Sequence, residues 1–81
     1  MLTIYYRNGC PFCEEALRLL IKNKIKFRKY NVNDYGGKDL VFNFLKKQKV
    51  LRKNSTHDTL PLIFGFAGEY IGGCTELKRF L

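Results

Sequence analysis

Eighty-one residues with 15 Lys and Arg against 7 Asp and Glu, a formal net charge of +8, make a single domain, residues 1–81, close to the smallest size that buries a self-sufficient core. A hydrophobic share of 46%, with 7 Phe and 5 Tyr, excludes a disordered tail. Three cysteines cannot pair off evenly, and Cys10 and Cys13 stand three positions apart, which suits a redox or metal site and not a disulfide framework.

The chain opens on Met1-Leu2-Thr3-Ile4-Tyr5-Tyr6-Arg7, with no charged segment leading into a long apolar run, and no later stretch approaches the length of a membrane span. A cytoplasmic protein without a membrane partner is expected. Leu2 to Tyr6 is apolar, β-branched and aromatic and is stopped by Asn8-Gly9, which predicts a buried strand. Pro11 then stands where a helix tolerates proline best, and Cys13, Leu17, Leu20 and Ile21 recur at helical spacing, so a helix is predicted from about Pro11 to Asn23. Phe27 to Val32 predicts a second strand, and Asn33-Asp34-Tyr35-Gly36-Gly37 a loop. Leu40, Val41, Phe44 and Leu45 mark one face of a second helix, about Lys38 to Lys49, and Arg52 to Asp58 is polar loop. From Leu60 to Tyr70 two β-rich runs flank Gly65-Phe66-Ala67-Gly68 like a hairpin. Gly72-Gly73 breaks the second run, and Leu77, Phe80 and Leu81 supply the face of a terminal helix.

The order is βαβαββα. A strand, helix and strand near the start require a parallel pair, and the late hairpin adds two antiparallel strands. An α/β fold follows: a mixed four-stranded sheet with flanking helices, the thioredoxin-like architecture, which is only a prior on function.

Chemistry gathers at the first strand-to-helix junction. In Cys10-Pro11-Phe12-Cys13 one thiol is at the edge of the helix and the second a turn further in, so Cys10 is expected to be exposed and Cys13 tucked behind it. The unpaired N–H groups and the positive end of the helix dipole favour a thiolate at Cys10, Arg7 adds a cation just upstream, and Glu14 and Glu15 oppose weakly. A zinc site would need two further ligands, for which only Cys74 and His57 remain, and nothing in the sequence brings them to the pair. A purely structural pair of buried cysteines would have no need of Pro11 or of the turn before it.

Basic residues crowd into Lys22 to Lys29 and Lys46 to Lys53, with Phe27, Tyr30, Phe42 and Phe44 nearby, a composition that also suits a nucleic-acid platform. No nucleic-acid motif accompanies the charge, and lysines near helix C-termini are favourable without any ligand. The same positive field attracts an anionic thiol substrate.

Three separated segments together carry a family resemblance: Arg7-Asn8-Gly9-Cys10-Pro11-Phe12-Cys13, Thr59-Leu60-Pro61, and Gly72-Gly73-Cys74-Thr75-Glu76-Leu77. In order and spacing the chain resembles a glutaredoxin along essentially its whole length. It departs from the family's commoner residues at Phe12, Leu60 and Glu76 and matches loosely over Lys46 to Asp58. The resemblance implies a glutathione-dependent thiol–disulfide oxidoreductase with Cys10 as nucleophile and Cys13 as resolving thiol. It further implies a cis Pro61, with Leu60 offering its backbone to the cysteinyl part of glutathione as an added strand does. Gly73, Cys74, Thr75 and Glu76 would then receive the γ-glutamyl end, and Arg7, Pro11, Phe12 and Thr59 would complete the glutathione site. Cys74 reads as a small buried residue rather than a third redox centre. Glutathione is the expected co-substrate with no metal, disulfide or glutathionylated proteins are the clients, ribonucleotide reductase is one the family admits, and a monomer is expected. Some similar proteins carry a glutathione-ligated iron–sulfur cluster, but those most associated with that role have glycine in place of Pro11 and serine in place of Cys13.

Overall fold

The computed structural model describes all residues, Met1 to Leu81. Leu2–Tyr6 forms the first strand, β1, and alternation sends Leu2 and Ile4 to one face of the sheet while Tyr5 packs on the other. Pro11–Lys22 is helix α1 and Phe27–Asn31 is β2, parallel to β1 with Leu2 opposite Phe27 and Tyr6 opposite Asn31. The expected loop after β2 contains a 3₁₀ turn, Val32–Tyr35. The Asn31 side chain accepts the Asn33 N–H at 3.0 Å and starts it, and Gly36, at φ 96°, closes it. Helix α2 runs Lys38–Lys47, two residues shorter than predicted, because Lys49 turns left-handed at φ 61°.

Leu62–Phe64 is β3 and Tyr70–Gly72 is β4. The strand order β2-β1-β3-β4 pairs β3 antiparallel to both β1 and β4, and Cys74–Phe80 closes the chain as α3. This is the expected mixed four-stranded sheet with three helices.

Each face of the sheet has its own core. Leu2, Ile4, Ala16, Leu20, Ile63, Cys74 and Leu77 pack between the sheet and helices α1 and α3. On the opposite face, Val41, Phe42 and Leu45 of α2 meet Leu62 and Phe64 of β3, and this cluster includes Cys10, Cys13, Leu51 and Leu60. The two inward faces of β3 thus hold the molecule together, Ile63 on one side and Leu62 and Phe64 on the other.

Two expected helix faces are corrected. In α2, Leu40 and Phe44 are 63% and 59% exposed, while Phe42 is buried with Val41 and Leu45. The helix is turned so that Phe42 stacks on His57, with ring centroids 6.0 Å apart, a tertiary contact that periodicity does not encode. In α3, Cys74 and Leu77 point inward; Phe80 leans on Phe66 outside the core, and Leu81 is exposed beyond the helix end.

Candidate active site

Cys10 is the N-cap of α1. Its backbone is extended (φ −102°, ψ 109°), its carbonyl accepts the first helical hydrogen bond from Glu14 N–H at 2.9 Å, and Pro11 occupies the first helical position, where its missing N–H costs nothing. The Cys10 Sγ turns back over the helix end and accepts the Cys13 N–H at 3.3 Å. As a thiol, Cys10 donates to the Leu60 carbonyl at 3.7 Å. These contacts correct the expectation of an exposed Cys10: the residue is only 7% accessible, because its side chain lies between the helix N-terminus and the Leu60-Pro61 segment instead of pointing to solvent.

Cys13 is fully buried. Burial, and then its hydrogen bond to Cys10, push its thiol from an ordinary 9.0 up to about 12; a backbone hydrogen bond from Arg7 and the Arg7 charge pull weakly the other way. The two sulfurs are therefore unequal. Cys13 stays a neutral thiol, while Cys10 caps the N-terminus of α1 and its sulfur accepts the Cys13 N–H. Arg7 itself is exposed, and Glu15 is turned away from the pair toward Lys78, 2.8 Å distant, whose ammonium holds its carboxyl below the usual range.

Beside the pair opens a cleft of about 290 Å³, walled by Phe12, by Thr59, Leu60 and Pro61, and by Gly73, Cys74, Thr75 and Glu76. The Leu60–Pro61 bond is cis. Every one of these wall residues is on the list drawn from sequence, whereas Arg7 and Pro11 stand outside the cleft. The Glu76 carboxylate reaches back and accepts the Gly73 N–H at 2.8 Å. The close approach at Gly72 (φ +128°) is to this side chain: a Cβ there would lie 2.7 Å from Glu76 Cγ. Cys74 is buried, its Sγ donating to Glu15 Oε2 at 3.6 Å, and burial and the Glu15 charge raise its thiol pKa.

His57 is the cleft residue that sequence reading missed, having entered there only as a remote zinc candidate. The Thr59 carbonyl, 2.8 Å from Nε2, can only accept, so Nε2 carries the proton, and Nδ1 takes the Tyr70 hydroxyl at 2.7 Å. Burial and the Glu76 charge hold the Tyr70 phenol protonated, consistent with its donating here. Both ring nitrogens are thereby engaged, and neither is available to a metal at the cysteine pair. The only signal in the sequence was a polar ring two residues before Thr59.

The sequence model of the family described as Glutaredoxin matches residues 2–71, spanning both cysteines and the cis proline. The chain belongs to the glutaredoxin family. Among curated relatives it is 32% identical to a probable glutaredoxin of Acanthamoeba polyphaga mimivirus, over 96% of this chain and 74% of that protein. It is 30% identical to Glutaredoxin 3 of Escherichia coli, over 91% and 77%. Among solved structures, Glutaredoxin 1 from Francisella tularensis superposes with a TM-score of 0.78 at 33% identity, covering 96% of this chain and 87% of that one. Glutaredoxins are thiol–disulfide oxidoreductases, and the unequal thiol pair of this member is the equipment of that chemistry.

Proposed function

We propose that this glutaredoxin is glutathione-dependent, reducing glutathione mixed disulfides and protein disulfides. The observation that carries the reading is the inequality of the pair: an N-cap sulfur receiving the Cys13 N–H, beside a thiol held neutral at about 12. The Cys10 thiolate attacks the glutathione sulfur of a mixed disulfide, and the client leaves as its thiolate. A glutathione thiolate then attacks the Cys10-bound sulfur, releasing glutathione disulfide and restoring Cys10. With a protein disulfide, Cys10 forms the mixed disulfide with one client sulfur, and Cys13, giving up its proton, displaces the client to close a Cys10–Cys13 bond. Two glutathione molecules reopen it. In this reading the Leu60 backbone pairs with the cysteinyl unit and the first turn of α3, with Thr75 and Glu76, receives the γ-glutamyl end.

A glutathionylated peptide with glutathione as sole reductant tests the scheme. Cys10→Ser is expected to fall to the uncatalysed background, and Cys13→Ser to keep turnover of the same order as the parent while losing reduction of protein disulfides. Equal loss in the two variants would overturn the assignment of roles, and turnover indifferent to glutathione would overturn the choice of reductant.

A further inference from the structure

From Leu40 to His57 the chain contains no acidic residue, yet it supplies Lys46, Lys47, Lys49, Arg52 and Lys53. The fold gathers all five cations around one open groove of about 800 Å³, floored by the buried Leu51. The one salt bridge of the molecule, Lys78 to Glu15, lies elsewhere, so these five have no carboxylate partner. Like charges held together repel one another, and an anion that settles among them relieves the repulsion.

The groove does not end in solvent. Lys49, Leu51, Arg52 and Asn54 also line a second hollow of about 790 Å³ that reaches His57 and Tyr70. His57 is in turn a wall of the thiol cleft. Beneath this track, Leu51 packs in the same core cluster as Cys10 and Leu60. The cationic groove is therefore continuous, through the hollow at His57, with the cleft walled by Thr59 and Leu60.

We propose that this track docks an acidic segment of a disulfide-bearing client protein, selecting clients by the negative charge flanking their reactive sulfur. The proposal rests on Cys10 as the attacking group. Its thiolate displaces one sulfur of the client disulfide, forming a Cys10–client bond while the other client sulfur leaves with the electron pair. A nucleic acid fits less well, because single strands need aromatic faces to stack on. The rings near the basic stretches are not gathered there: Phe42 is buried, Tyr30 stacks on Tyr5, and the exposed Phe44 faces a separate apolar hollow with Tyr5, Tyr30 and Tyr35. Tyr70 and His57, the aromatic side chains on the track, are bonded to each other.

The test uses disulfide peptides identical except for acidic, neutral or basic flanks, and measures the second-order rate of stoichiometric exchange with the reduced protein in the absence of glutathione. The acidic peptide is expected to react at least about tenfold faster than the neutral one at low salt, with the advantage shrinking as salt shortens the Debye length. A variant carrying Lys46→Gln, Lys49→Gln, Arg52→Gln and Lys53→Gln is expected to lose that advantage and to keep the parent's rate on the neutral peptide. A second variant, carrying Lys22→Gln, Lys24→Gln, Lys26→Gln and Lys29→Gln, removes the same charge from the other basic stretch and is expected to keep the advantage. Loss in both variants alike, or no advantage in the parent, overturns the proposal, since net charge alone would then explain the result or nothing would need explaining. Tighter binding of a single-stranded oligonucleotide than of the acidic peptide at matched salt, abolished by the groove variant, overturns it in favour of nucleic acid. Because no glutathione is present, failure of the glutathione reading leaves this result standing. Circular dichroism of each variant excludes misfolding, and Lys49→Gly, which relieves a left-handed residue, supplies a well-folded single-site check that is expected to reduce the acidic advantage.

Discussion

With its thiol pushed up to about 12 by burial and by the neighbouring sulfur, Cys13 is uncharged across the physiological range. Two of the causes come from Cys10, its hydrogen bond and its charge, and both vanish once Cys10 is tied up in a mixed disulfide. Cys13 then loses its proton more easily, at the moment when the proposed scheme has it attack. The same shift links stability to pH. A pKa raised in the fold means that the unfolded chain releases its proton first, so the contribution is intact below about 9 and declines as pH climbs toward 12. Urea denaturation at pH values above about 9 is expected to show the parent losing stability relative to Cys13→Ser; parallel curves would refute it. His57→Ala removes two hydrogen bonds and is expected to cost about 1–2 kcal/mol and, by freeing the Thr59 carbonyl, to raise the KM for glutathione more than it lowers kcat. Tyr70→Phe, which removes one of the two bonds, is expected to fall between, and an unchanged KM in His57→Ala would leave that ring a structural role only.

The helices end by the same device. After α1, Lys24 N–H bonds the Ile21 carbonyl and Ile25 N–H the Leu20 carbonyl; after α2, Lys49 N–H bonds Lys46 and Val50 N–H bonds Leu45. This pattern requires a left-handed residue just past the cap, usually glycine, and here lysine takes the position at φ 54° and 61°. Lys49→Gly is expected to stabilise the fold by about 1 kcal/mol, read as a raised urea midpoint at constant slope. The glycine signal that normally marks a helix end is missing from the sequence at both places, which is why the predicted second helix ran two residues too far. Helices α1 and α3 are joined at the surface by the Lys78–Glu15 pair, exposed and screened by salt, so their docking depends on Ala16, Leu20, Cys74 and Leu77 beneath.

A radius of gyration of 11.8 Å is the size expected of a compact chain of this length. Its two cores meet through β1 and β3, whose side chains reach both faces, and neither core is large enough to stand alone. Leu20→Ala, in the core remote from the thiols, is expected to cost about 2–5 kcal/mol and to lower Tm by roughly 10 °C or more. It is expected to do so in a single transition in which Cys13 becomes reactive to alkylation at the same temperature as tertiary ellipticity is lost. Separate transitions would mean that the two faces unfold independently.

Periodicity and local chemistry alone determined the element order, the parallel first pair, the helix start at Pro11 and the division of the two motif cysteines into a cap and an interior position. Each depends on residues a few positions apart, and proline, glycine and alternation constrain the backbone wherever they occur. The three separated segments also located the walls of the cleft, because a recurring set of residue types reports a recurring geometry. Tertiary structure decided what depends on distant partners. The Leu60 carbonyl, 50 positions from Cys10, covers the side chain that looked exposed. Phe42 turns α2 onto His57 and leaves Leu40 and Phe44 outside, and Tyr70 and Thr59 fix a histidine that had no visible role. Five cations crowded between Lys46 and Lys53 become one groove only when the chain turns back at the end of α2, where the Val50 and Leu51 N–H groups bond the Leu45 carbonyl. Hydrogen bonds and packing across such separations leave no periodic trace, so they become legible only once the sheet has brought the segments together.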